Sequence, residues 1–123
     1  MMDNTLELLL KADIQALPEK EYKVKRLSSL CGAPVVFKLR ALPYNRAAEL
    51  TRSQKDDLEV HILLAGVAEP SLKSTELMSK YEAATPAEMV KKMLLPGEII
   101  DISRAVERLS GYRTDTIEEI KKK

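Results

Sequence analysis

The stretch Asp56-Asp57-Leu58-Glu59-Val60-His61-Ile62-Leu63-Leu64-Ala65-Gly66-Val67 (residues 56–67) decides how the rest of the chain must be arranged. Val60, Leu63, Leu64 and Val67 recur at the i, i+3, i+4, i+7 spacing of one helical face. Leu58, Ile62 and Ala65 widen that face until most of the girth is apolar, and such a helix belongs at the centre of a core. Asp56 followed three residues later by Glu59 has capping-box spacing, so Asp56 is the expected cap, and Gly66 and Pro70 bracket the far end.

Working outward toward the C-terminus, a short helix is expected near Thr75–Tyr81, presenting Leu77, Met78 and Tyr81. Thr85-Pro86-Ala87-Glu88 is the strongest helix start in the chain, with a cap residue, proline at the first position and glutamate at the third. Met89, Val90, Met93 and Leu94 form its face. Pro96-Gly97 is expected to turn the chain, and Ile99, Ile102, Val106 and Leu109 are spaced for a buried stripe that Gly111 terminates. Asp115 with Glu118 predicts a last short helix carrying Ile117 and Ile120, with Lys121–Lys123 complementing its dipole.

Toward the N-terminus, Pro43 suits a first helical turn followed by Tyr44, Ala47, Ala48 and Thr51. Before it lies the clear β signal. Tyr22 and Val24 alternate with Lys23 and Lys25, and Val35, Phe37 and Leu39 alternate with Val36, Lys38 and Arg40. The connector Ser28–Pro34 holds Gly32 and Pro34, so a hairpin with a loose loop is predicted. Residues 4–12 read as a helix with Asn4 as cap, Glu7 three residues on, and a stripe of Leu6, Leu9 and Leu10 widened by Leu8; Pro18 blocks its continuation. The expected fold is therefore α+β, mainly α. About five to six short helices surround a central apolar helix, with one N-terminal β-hairpin. The expected unit is a single domain over 1–123: N-terminal helix 4–12, hairpin 21–41, helical part 43–121.

Composition excludes several functions. With 45% apolar and 32% charged residues over 123 positions, the chain can bury a core without staples. No apolar run approaches the roughly 18–20 residues of a membrane span. The start carries an acid and no basic run, so no secretory signal is expected and the cytoplasm is the default. One cysteine and one histidine cannot close a zinc site of Cys and His. The +1 net charge does not point to nucleic acid or membrane, and 4% aromatics make stacking of bases or sugars an improbable job. A small nucleic-acid-binding or regulatory protein using the basic hairpin face is therefore the alternative reading. No cofactor is implied, because four glycines give neither a phosphate loop nor a dinucleotide fingerprint.

Few residues invite a chemical reading. His61 lies four residues after Asp57, a spacing that could orient a general base, but no nucleophile or second acid is linked to them, and a histidine on an amphipathic helix explains the pair as well. Cys31 beside Gly32 reads as incidental. Glu98 and Asp101 could serve as paired carboxylates, yet they fall in a first helical turn, where the dipole favours acids; Arg104 and Arg108 lie further along as pairing partners. Met78, Met89 and Met93 would suit an adaptable contact, and core packing is the simpler role. Two surfaces remain for partners: the leucine stripe Leu6, Leu9 and Leu10, and a basic hairpin face of Lys23, Lys25, Lys38 and Arg40. That face could contact phosphates or protein, or keep an exposed strand soluble.

The order of these features resembles a known family. A leucine-rich N-terminal segment leads to Val36-Phe37-Lys38-Leu39-Arg40-Ala41-Leu42. Then come Gly66-Val67-Ala68-Glu69-Pro70, Thr85-Pro86-Ala87-Glu88, Leu94-Leu95-Pro96-Gly97-Glu98-Ile99 and Leu109-Ser110-Gly111-Tyr112. In this order and spacing, from about residue 4 to the end, the chain resembles the XkdN-like tail assembly chaperones of bacteriophages and prophages. The resemblance implies a non-enzymatic protein of the bacterial host cytoplasm. Its partners would be the tape measure protein, which it would coat and keep soluble, and the tail tube protein, whose polymerisation it would assist. Weak homo-oligomers would fit that task. It transfers no catalytic or ligand residue, and it raises the expectation of a longer, frameshifted product encoded across Lys121–Lys123.

Overall fold

The computed structural model describes residues 2–14 and 16–121. The apolar segment that organises the sequence becomes a helix at Leu58–Gly66 (α4), with Val60, Leu63 and Gly66 buried and Ile62 and Leu64 packed against the core. Four elements lean on it. These are α3 (Tyr44–Ser53), α6 (Pro86–Met93), α7 (Pro96–Leu109) and a short strand, β3 (Val67–Glu69), which follows it directly. Two details differ from expectation. Asp57, not Asp56, stands at the cap position, in the left-handed region at φ 57°, which aspartate tolerates better than most residues. Val67 leaves the helix and pairs in a sheet.

The longest helix, α7, buries Ile99, Ile102, Ala105 and Val106 along one face, together with Ser103, whose hydroxyl donates to the Ile100 carbonyl at 2.9 Å. Its contact with α4 is possible because residue 66 is glycine. A Cβ there would lie 2.4 Å from Val106 Cγ2 and 2.5 Å from Cγ1, far inside contact distance. Pro96-Gly97 opens this helix instead of forming a separate turn, because proline is favoured where no N–H is needed. The α6 start forms as expected. The Thr85 hydroxyl accepts from Glu88 N–H, while Glu88 accepts from Ala84 N–H. The helix α5 (Thr75–Lys80) is capped by Ser74, whose hydroxyl accepts from Leu77 N–H.

The β region is richer than a hairpin. Strands β1 (Glu19–Lys23) and β2 (Val36–Arg40) are antiparallel, with Tyr22 opposite Phe37, and β3 adds on the other side of β2, with Glu69 opposite Lys38. Phe37 and Leu39 point into the core, as the alternation predicts. The loose connector is instead a helix, α2 (Lys25–Cys31). Gly32 closes it in the left-handed conformation, φ 69°, and the Ser28 hydroxyl accepts from Val35 N–H at 2.8 Å, pinning the helix to the start of β2. Lys25 therefore begins a helix and is not a strand residue.

The two ends depart from the core. The N-terminal helix, α1 (Met2–Lys11), starts before Asn4, so Asn4 is an interior position and not a cap. In α3, Pro43 is the cap residue and Leu50 supplies the buried contact, while Tyr44 and Thr51 are exposed. Beyond Gly111, residues 115–121 form no helix despite the Asp115–Glu118 spacing, and Ile117 and Ile120 are exposed. A capping pattern does not hold a short helix that has no body to pack against. Lys122 and Lys123 lie outside the described residues. The architecture is α+β and mainly α: among the described residues, seven helices and a three-stranded antiparallel sheet.

Candidate protein-binding surface

The leucine stripe predicted from residues 4–12 is fully presented to solvent. Leu6 is 56%, Leu9 64% and Leu10 76% exposed, and Leu8 and Ile14 are exposed with them. Every described side chain from Asn4 to Ile14 is exposed. Single apolar residues at a surface are ordinary, but five within eleven positions of one short segment are a contiguous patch that water penalises. The helix carries one acid in its stripe region, Glu7, and ends on Lys11.

The basic residues expected to share the sheet face are divided. Lys23, Lys38 and Arg40 do point to the outer face of β1 and β2, but acids stand among them. Arg40 forks onto Glu19 through Nε and Nη2, at 2.7 and 2.6 Å, and Lys38 lies 3.9 Å from Glu19 and 3.8 Å from Glu69. The face is a mixed lattice of charge, which weakens the unshielded positive potential that phosphate binding requires. Its acids come from the first residue of β1 and the last of β3, so only the strand register reveals them.

A groove of about 510 Å³ runs between β1, the start of α2 and α7. Phe37, Leu39 and Ile102 are at its floor and Lys25, Asp101 and Arg108 at its rim. One wall is an ion pair that sequence reasoning missed. Arg26 donates through Nε to Glu98 Oε2 at 3.0 Å and through Nη2 to Glu98 Oε1 at 2.9 Å, and Nη2 also donates to the Met93 carbonyl at 2.9 Å. Glu98 in turn accepts from Leu95 N–H at 2.7 Å, so it caps its own helix while clamping α2 to the α6–α7 junction. The hydrogen bonds from Arg26 hold the Glu98 carboxyl below the ordinary carboxylate range; partial burial opposes this, and the Leu95 bond adds to it. Arg104 and Arg108, suggested as partners for Glu98 and Asp101, do not make this pair.

Glu98 and Asp101 line the same groove, with Glu98 committed to Arg26, and the other residues read for chemistry have different surroundings. Asp57 gives its carboxylate to Lys91 on α6, while His61 is half-buried in a different cleft with Arg46 and Lys73. Cys31 is exposed at the end of α2. Met89 is fully buried and Met78 and Met93 pack against the core, so the methionine set fills the interior. Among the described residues no group of three or more His, Cys, Asp or Glu side chains could hold a metal ion, and no helix is long and apolar enough to cross a membrane.

The sequence from residue 6 to residue 122 matches the phage XkdN-like tail assembly chaperone protein family. The chain belongs to that family. Membership accounts for the order of motifs along the whole chain, and it makes the chain a phage tail assembly chaperone, with phage tail proteins as its implied partners. The crystal structure of the protein YqbN is similar in fold, with a TM-score of 0.61 over 80% of this chain and 90% of that chain. At 24% identity the likeness to YqbN speaks for the shared fold alone. No curated protein matches the sequence.

Proposed function

We propose that this tail assembly chaperone works without catalysis, in the cytoplasm of the bacterial host, by binding the tape measure protein through the leucine stripe of α1. The observation that carries the reading is the exposure of Leu6, Leu9 and Leu10 on a helix that the core does not use. An elongated helical client needs many weak apolar contacts along its length, and a short amphipathic helix on each chaperone copy supplies one. Of the predicted basic residues, Lys38 and Arg40 already have acidic partners, which leaves Lys23 on the sheet face and Lys25 at the start of α2 as the polar complement to the stripe. The chain acts as a single unit of residues 1–123, and tail tube assembly follows from a client kept soluble.

Co-expression with the tape measure protein tests this. The client is expected in the soluble fraction with the wild-type chain and in the pellet without it. A client equally soluble in both overturns the tape measure reading. The triple variant Leu6→Glu, Leu9→Glu, Leu10→Glu is expected to fold normally and lose the effect. If that variant protects as well as wild type, the stripe is not the contact.

A further inference from the structure

Each of three clefts in the fold carries charged side chains, but they differ in their mix. The groove beside β1 combines Lys23, Lys25, Arg26 and Arg108 with Glu98 and Asp101, and a cleft between α4 and α7 combines Arg104 and Arg113 with Glu59 and Glu107. The third, of about 490 Å³, is lined by Arg46 from α3, His61 from α4 and Lys73 from the segment before α5, with Leu64, Ala65 and the first turn of α6 completing it. No carboxylate lines it.

The state of these three groups is informative. Among the described residues the His61 imidazole and the Lys73 ammonium have no partner in the structure. Arg46 uses one nitrogen, Nη1, for Glu49 within its own helix and retains its other donors. That pair is exposed, and exposed pairs are held weakly. Several other cations in this fold are paired with acids: Arg26 with Glu98, Lys38 with Glu19 and Glu69, Arg40 with Glu19, Lys91 with Asp57 and Arg113 with Glu107. Arg46 and Lys73, two cations from separate elements that face one concavity, repel one another unless an anion stands between them, and the His61 imidazole adds a further polar group beside them. The donor set, a guanidinium fork, an ammonium and an imidazole, is the set that grips tetrahedral oxyanions through charge-assisted hydrogen bonds.

We propose that the cleft between α3, α4 and the first turn of α6 binds a compact phosphate-like oxyanion, held by Arg46, His61 and Lys73. The site is separate from the α1 stripe and independent of client binding. The oxyanion is either free in solution or carried as a phosphoryl group on a side chain.

His61 is the sole histidine, so its imidazole gives one set of ring resonances by NMR. Inorganic phosphate is titrated at fixed pH, with chloride replaced to keep ionic strength constant. The expected result is a saturable shift of the His61 ring, with half-saturation weakened at least tenfold in the double variant Arg46→Ala, Lys73→Ala. A tenfold loss corresponds to about 1.4 kcal/mol, less than one charge-assisted bond. The amide spectrum of the variant confirms its fold. A shift that never saturates, or saturation equal in the variant and the wild type, overturns the proposal. Tighter half-saturation by phosphoserine than by inorganic phosphate assigns the oxyanion to a side chain, and the reverse assigns it to the free ion; both support the site.

Discussion

Replacing Gly66 with alanine puts one methyl group into the tightest contact of the core. The backbone of residue 66 is not left-handed, so alanine fits the helix, and by propensity alone it would stabilise by up to about 1 kcal/mol. Against this, the new Cβ sits 2.4 and 2.5 Å from the two methyls of Val106, and carbons need roughly 3.5–4.0 Å. Val106 is fully buried and β-branched, so it has neither free space nor an easy alternative rotamer in a helix. Relief therefore requires α4 and α7 to separate by about an ångström, and overpacking of this kind costs about 1–3 kcal/mol. Gly66 is the last residue of α4, where the propensity gain falls well below its interior value, so overpacking dominates. The net is a loss of roughly 1–2 kcal/mol, or about 4–8 °C in Tm for a domain of this size. Urea unfolding followed by circular dichroism measures it. Val106→Ala alone should cost about 2 kcal/mol through lost burial and a small cavity. The double variant should be more stable than the sum of the two single losses predicts, by about 1 kcal/mol, with some tightness left because Val106 Cβ would remain 3.0 Å away. A neutral or stabilising Gly66→Ala, or strict additivity with Val106→Ala, would refute the argument that glycine permits the α4–α7 crossing.

Glu98→Gln should reduce stability at neutral pH and reduce it less as pH falls. The folded-state pKa of Glu98 is lowered, so its contribution is full above the unfolded carboxylate range and is lost as pH drops through the folded value. Urea midpoints of wild type and variant between pH 7 and 3 should converge at the acid end, and Arg26→Ala should flatten the same difference. Met89→Ala should cost about 2–5 kcal/mol, since the side chain is fully buried; a loss under 1 kcal/mol in chemical denaturation would contradict its core position. The Leu6→Glu, Leu9→Glu, Leu10→Glu variant should keep its unfolding free energy within the range of surface substitutions, about 0.5 kcal/mol per site, whatever it does to the client. Cys31 should react with a thiol reagent in the native state at the rate of an exposed peptide thiol, and protection until unfolding would show the end of α2 to be covered.

Local signals carried much of the fold, and long-range pairings carried what was missed. Thr85-Pro86-Ala87-Glu88 caps α6 because every element of that signal lies within four residues. The stripe of α7 is likewise a property of its own period. By contrast, α2 has no side-chain cap and holds few apolar residues, and the Ser28–Val35 bond that fixes it joins two segments read separately. Val67 satisfies a helical period as well as a strand period, and only the presence of β2 beside it selects the strand. For the binding surface, the leucines of α1 were legible as a stripe, but nothing in their spacing says whether a core covers them. The mixed charge of the sheet face depends on the register that brings Glu19 and Glu69 to Lys38. Arg26 and Glu98 are 72 positions apart, so no pattern in one segment points to the other.

The junction at Gly66–Val67 joins a helix to a strand with no loop between them. The pairing of β3 with β2 and the seating of α4 on α7 are therefore set by one stretch of backbone, and neither can slip without the other. In native-state hydrogen exchange the amides of α4, β2 and β3 are therefore expected to open as one unit, and those of α1 to exchange through fraying. A client that captured and ordered α1 would slow exchange in that helix without changing the opening rate of the unit behind it.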